Sequence, residues 1–145
     1  MNLKRQSRLA FAVMVIGLVW MFQRQEIIAR SLPAQIVQGC AVGLMIAARI
    51  TFGRRSFHAA ADPTAGGLVT NGPYAFFRHP IYTAVCLFSL AGALTYRTPA
   101  AFGWLALIVT GAVGRMLCEE TLLRGRYPEY ADYASRTARM VPYIF

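Results

Sequence analysis

The chain has 145 residues, 57% of them hydrophobic and 14% charged, with a formal net charge of +9 and a mean hydropathy of +0.44. That length bounds it to a single domain, residues 1–145, and the apolar content exceeds what a soluble domain needs. Nucleic acid is not the partner that +9 implies, because the basic residues lie between apolar blocks with no nucleic-acid motif beside them.

Four apolar blocks follow one another: Leu9–Phe22, Pro33–Phe52, Ile81–Tyr96 and Pro99–Cys118. The second and fourth have 20 residues each, about 30 Å of helix and enough for the bilayer hydrocarbon. With 16 and 14 residues, the third and first reach only roughly 24 and 21 Å, and need their flanks or a thin membrane to cross. Lys4, Arg5 and Arg8 before the first block resemble a signal peptide, but no small-x-small cleavage site follows in Phe22-Gln23-Arg24-Gln25-Glu26. An uncleaved first span is expected. Four spans put 10 cations on one side (Lys4, Arg5, Arg8, Arg54, Arg55, Arg78, Arg124, Arg126, Arg136, Arg139) and 3 on the other (Arg24, Arg30, Arg97). The positive-inside rule then places both termini in the cytoplasm, for a multi-pass protein of the inner (plasma) membrane.

Within the second block Gly39 and Gly43 have the four-residue spacing that lets helices approach closely in lipid. Arg49, one turn from its cytoplasmic end, is expected to snorkel to the headgroups. Residues 54–74 form a turn-rich connection with glycines at 66, 67 and 72 and a short apolar interruption at Leu68-Val69. Such a loop is expected to fold back onto the protein, where glycine permits close backbone approach to a ligand. Cys40, Cys86 and Cys118 lie in apolar segments without metal-ligand spacing and read as packing residues. His58 and His79 are too few for a metal site.

Asn71-Gly72-Pro73-Tyr74-Ala75-Phe76-Phe77-Arg78-His79-Pro80-Ile81-Tyr82-Thr83 is a polar island where the third span begins. Pro80 suits the first helical position, and it biases His79 toward extended geometry. The N–H groups of Ile81, Tyr82 and Thr83, beside Arg78 and His79, predict an anion-binding corner suited to a small carboxylate. An ordinary cationic membrane flank is the competing reading. The next two spans form a hairpin, so His79 and Glu119 return to the same face although 40 residues apart. Arg115 and Glu119 are four apart on one helix and share a side. After Glu120, alternating aromatic and charged residues predict a short amphipathic helix along the interface, started by Pro128 and stopped by Pro142, able to cover the site.

These pieces together resemble the isoprenylcysteine carboxyl methyltransferase family and the related membrane phospholipid methyltransferases. The resemblance rests on Gly66-Gly67-Leu68-Val69-Thr70-Asn71-Gly72-Pro73-Tyr74, Arg78-His79-Pro80-Ile81-Tyr82, Arg115 with Glu119-Glu120, Tyr130-Ala131-Asp132-Tyr133 and Val141-Pro142. It implies an all-α polytopic fold of about four spans, whose cytoplasmic loop and C-terminal helix close a pocket for S-adenosylmethionine. By position, Gly66, Gly67, Leu68 and Val69 would line the nucleoside. Tyr74, His79, Pro80, Ile81 and Tyr82 would hold the methionyl end and adenosine, Glu119 a polar group of the cofactor, and Arg115 would orient the acceptor. The implied substrate is a lipid or lipophilic small molecule, by carboxyl O-methylation or amine N-methylation, with no metal. Gly66 stands where eukaryotic members carry histidine, and the chain has fewer spans than they do. The rival reading is a non-catalytic four-span transporter or scaffold. A proton-coupled transporter would carry a carboxylate inside a span, whereas Glu26, Asp62, Glu119, Glu120, Glu129 and Asp132 all lie outside the spans' centres.

Overall fold

A computed structural model describes residues 2–53 and 67–141. Gly66, His58, Pro142 and most of the loop that follows the second span lie outside these residues. Five α-helices follow in order: α1 (Leu3–Gln23), α2 (Leu32–Phe52), α3 (Pro80–Tyr96), α4 (Pro99–Arg126) and α5 (Tyr130–Arg136), with a 3-10 turn at Gly72–Ala75 before α3. Among the described residues the only β-type pairing is an isolated parallel bridge between Phe77 and Ala138. The chain is an all-helical integral membrane protein: α1, α2 and α4 are long and apolar enough to cross a bilayer, and α3 is a shorter apolar helix of 17 residues.

Local chemistry sets the helix ends. Asn2 caps α1 by accepting a hydrogen bond from the Lys4 N–H, and Thr98 caps α4 by accepting from the Ala101 N–H. Proline occupies the first turn of α2, α3 and α4, where its missing N–H is not needed. Two boundaries differ from the apolar blocks. α1 begins at Leu3 because Lys4, Arg5 and Arg8 are good helix formers whose stems remain compatible with an interface. α4 runs on to Arg126, since nothing between Cys118 and Arg126 breaks a helix.

α4 packs mainly on α1, α2 packs on α3, and α3 joins the two pairs through α4. Close approach of α1 and α4 depends on glycine: a Cβ at Gly111 would lie 2.5 Å from the Met14 nitrogen, and one at Gly17 2.7 Å from the Ile108 side chain. At Gly39 and Gly43, the pair expected to pack, an added Cβ would meet nothing within 4 Å among the described residues. The four-residue glycine spacing fell on the outward side of α2, while the working contact pairs glycines from two helices. Cys40 is exposed on that same outward side, so it too is not a packing residue within the chain. Met14, Met21, Ile108, Ala112, Met116, Tyr82 and Met140 form the buried centre.

The end of the bundle where α1 meets α2 and α3 meets α4 is closed mainly by neutral groups, around the buried carboxylate of Glu26. Gln38 on α2 accepts from the Ala29 N–H at 3.0 Å and donates to the carbonyls of Ile27 at 2.7 Å and Phe88 at 3.1 Å. Thr98 donates to the buried Glu26 carboxylate at 2.7 Å, and Trp20 stacks on Trp104 with ring centroids 5.4 Å apart. Gly92 lets the α1–α2 loop press onto α3, where a Cβ would fall 2.7 Å from the Glu26 and Ile27 carbonyl oxygens.

Candidate active site

The opposite end, where α3 begins and α4 ends, carries the charged groups. His79 is the N-cap residue of α3, with φ −129° and ψ 56°, held out of the α region by Pro80. Its imidazole is buried at 5% exposure and faces two carboxylates, with Nδ1 3.7 Å from Glu119 Oε2 and Nε2 3.4 Å from Glu120 Oε1. The hairpin therefore does bring His79 and Glu119 together.

Glu119 sits at the centre of a second cluster. Tyr82 donates to Glu119 Oε1 at 2.6 Å, while Arg115 Nε donates to the same oxygen at 3.1 Å and to the Tyr82 hydroxyl at 2.5 Å. The Arg115 guanidinium also lies over the Phe11 ring of α1, 4.7 Å from its centroid. One turn of α3 separates His79 from Tyr82, and their rings stack at 5.8 Å. Glu119 keeps 23% of its side chain exposed, and its Oε2 is beyond hydrogen-bond range of His79.

Tyr74, in the 3-10 turn, is buried and packs on Phe52 of α2 with centroids 5.4 Å apart. Burial first, and then the nearby Glu119 carboxylate, push its phenol above the ordinary tyrosine range. Gly72, at φ +56°, permits this placement, since a Cβ there would meet the Thr51 hydroxyl at 2.7 Å. Leu68 and Val69 are half-buried, Gly67 is exposed in the left-handed region at φ +80°, and Pro80 is fully buried. Ile81 is half-buried next to Tyr82.

The expected anion corner is modified. The Thr83 N–H donates to the His79 carbonyl, and the N–H groups of Arg78 and His79 donate to the carbonyls of Ala138 at 2.8 Å and Arg139 at 3.0 Å. The segment after α5 thus runs beside residues 76–79, and of the three N–H groups expected to face a ligand, that of Thr83 is taken by the first turn of α3 itself.

Two residues missing from the sequence-derived site are among its most heavily bonded. Glu120 is buried at 4% exposure and pairs with Arg78 at 3.0 Å and Arg139 at 3.3 Å, in addition to His79. Arg78 also donates to the carbonyls of Ala134 and Thr137. The doublet Glu119-Glu120 was the available signal, but it did not say which member faces inward. Tyr133 on α5 donates to the Tyr74 carbonyl at 2.7 Å, and burial pushes its phenol up to about 12, so it remains a donor at physiological pH. Among the described residues no group of three potential metal ligands occurs.

A family model described as phospholipid methyltransferase matches residues 34–130, about two thirds of the chain. The protein belongs to the phospholipid methyltransferase family, part of the isoprenylcysteine carboxyl methyltransferase-like group of membrane methyltransferases. It is also similar to the cobalt-zinc-cadmium resistance protein CzcN of Cupriavidus metallidurans, 40% identical over 79 residues that cover 52% of this chain and 35% of that protein. The matched chain thus spans about a third of that relative's length. No solved structure matches the chain. The family stretch takes in α2, α3, α4 and the first residue of α5, and so contains His79, Tyr82, Arg115, Glu119 and Glu120.

Proposed function

We propose that the protein is an integral membrane methyltransferase that uses S-adenosylmethionine and acts on a lipid or isoprenoid acceptor, by carboxyl O-methylation in preference to amine N-methylation. The observation that carries this reading is the Tyr82–Arg115–Glu119 cluster beside His79, at one end of apolar helices in a chain of this family. The site faces the cytoplasm together with both termini, as the 10-to-3 distribution of cations indicates.

The residues present fit the cofactor. Glu119 Oε2 would take its ammonium or ribose hydroxyls, Tyr82 bonds that carboxylate, Tyr74 and Ile81 would line the pocket in front of the buried His79 and Pro80, and Gly66, Gly67, Leu68 and Val69 would cover the nucleoside. When bound, S-adenosylmethionine supplies a methyl group made electrophilic by its sulfonium. Alignment and exclusion of water are the protein's contribution, because the displacement needs neither metal nor covalent intermediate. Arg115, fixed by Tyr82, Glu119 and the Phe11 ring, would orient an anionic acceptor. A carboxylate loses charge as it is methylated, so a dry site at the membrane face favours it. An amine acceptor must first lose a proton.

The test is a separation of effects. Glu119→Ala and His79→Ala weaken binding of S-adenosylmethionine by tenfold or more on the scale of a lost charged hydrogen bond, roughly 1.5–3 kcal/mol. Arg115→Ala lowers turnover with cofactor affinity largely kept. Unchanged affinity in both of the first two overturns the site, and a protein that never binds the cofactor favours the transporter or scaffold reading. Reporter fusions after Arg97 should read as outside the cytoplasm.

A further inference from the structure

Resting on that cofactor site, we infer that Glu120 and Arg78 are positioning residues: together they fasten the segment after α5, residues 137–141, along the start of α3, where it forms one wall of the site. The two adjacent glutamates then divide the work. Glu119 presents a partly open oxygen to the ligand side, and Glu120 is sealed behind it at 4% exposure.

The fastening can be traced bond by bond. Glu120 Oε1 accepts from Arg78 Nε at 3.0 Å, and the same guanidinium donates to the Ala134 carbonyl at 2.7 Å and to the Thr137 carbonyl, which closes the end of α5. Glu120 Oε2 accepts from Arg139 at 3.3 Å, a residue of the segment itself. Backbone pairing continues the contact: Ala138 N–H to Phe76 O at 3.1 Å, Arg78 N–H to Ala138 O, and His79 N–H to Arg139 O. Beyond it, Thr83 Oγ donates to the Met140 carbonyl at 2.9 Å, and Met140 enters the buried cluster that contains Tyr82 and Met116. His79 and Tyr82 are therefore backed by a segment with little regular structure of its own. It is held by one buried carboxylate shared among Arg78, Arg139 and His79. A lone ion pair at a surface contributes little, but removing one member of a buried, hydrogen-bonded set strands the others without compensation.

The experiment uses the full chain in nanodiscs, with amide exchange of residues 137–141 as one readout and calorimetric binding of S-adenosylhomocysteine, the demethylated product, as the other. In Glu120→Gln, exchange of 137–141 rises by roughly a hundredfold while α1 is unchanged, and product affinity falls about tenfold. Arg78→Gln does the same, and the double variant is no worse than either single, because both act through one fastening. Thr83→Val loosens the same segment by about fivefold without stranding a charge, and serves if Glu120→Gln fails to fold. Weakened product binding with unchanged exchange would make Glu120 a direct ligand contact and overturn the proposal. So would faster exchange with unchanged affinity, which leaves the segment structural only. A wild-type chain that binds no product, yet shows the 137–141 segment protected, contradicts the cofactor reading itself and removes the role with it, a result distinct from either of the other two.

Discussion

The two ends of the helical bundle are built from different chemistry. At the end where α1 turns into α2, the Gln38 amide and the Tyr96 hydroxyl join the loop to α3, glycine at 92 lets backbone touch backbone, and the buried Glu26 carboxylate is met by the neutral Thr98 hydroxyl. At the end where α3 starts and α4 stops, two carboxylates, a histidine and several arginines share a small volume. Neutral hydrogen bonds suffice to close a bundle end. Buried charges are costly to collect there without a use, so their concentration at one end marks it as the working end.

That contrast can be broken in stages. Arg78→Ala should have the largest effect, about 3 kcal/mol of stability in a mixed-micelle unfolding titration, because Glu120 loses its nearest partner, at 3.0 Å. Gln38→Leu should cost about 2 kcal/mol, since it strips the Ala29 N–H and the Ile27 carbonyl of their Gln38 partner at the other end, yet it should leave cofactor affinity within about twofold. Tyr133→Phe should cost about 1 kcal/mol through the lost bond to the Tyr74 carbonyl. It also carries a pH signature. The Tyr133 phenol is held up to about 12 in the folded chain against an ordinary value near 10, mainly by burial. Folding therefore favours its neutral form. Its contribution is complete below pH about 10 and declines as pH rises from about 10 to 12, a decline that Tyr133→Phe lacks. A variant at the neutral end that abolished cofactor binding while leaving the chain folded would erase the contrast.

Much of this arrangement could be read from the sequence. The apolar blocks located the helices, and the hairpin logic correctly joined His79 to Glu119. The choice between Glu119 and Glu120 needed coordinates, because one residue rotates a helix by about 100° and only the packing of α4 says which side faces α3. Arg78 was legible as part of an anion corner, but not as the residue that bonds Glu120 and the end of α5. Two of its partners are the carbonyls of Ala134 and Thr137, and backbone acceptors leave no trace in residue identity. Gly39 and Gly43 misled because spacing within one helix does not reveal which side meets a neighbour, whereas Gly17 on α1 meets Trp104 and Ile108 of α4, and Gly111 on α4 meets Ala10 and Met14 of α1. Leu68, Val69 and the glycines before them depend on tertiary folding of the loop, which no periodicity encodes.

The central claim is that the charged end holds S-adenosylmethionine. It is tested most directly by calorimetric binding of that cofactor to the purified wild-type chain, to Glu119→Ala and to Gln38→Leu in the same membrane mimic. The account predicts saturable binding to wild type, a loss of tenfold or more in Glu119→Ala and near-wild-type affinity in Gln38→Leu. Equal binding by wild type and Glu119→Ala, or none by a folded wild-type chain, would contradict it.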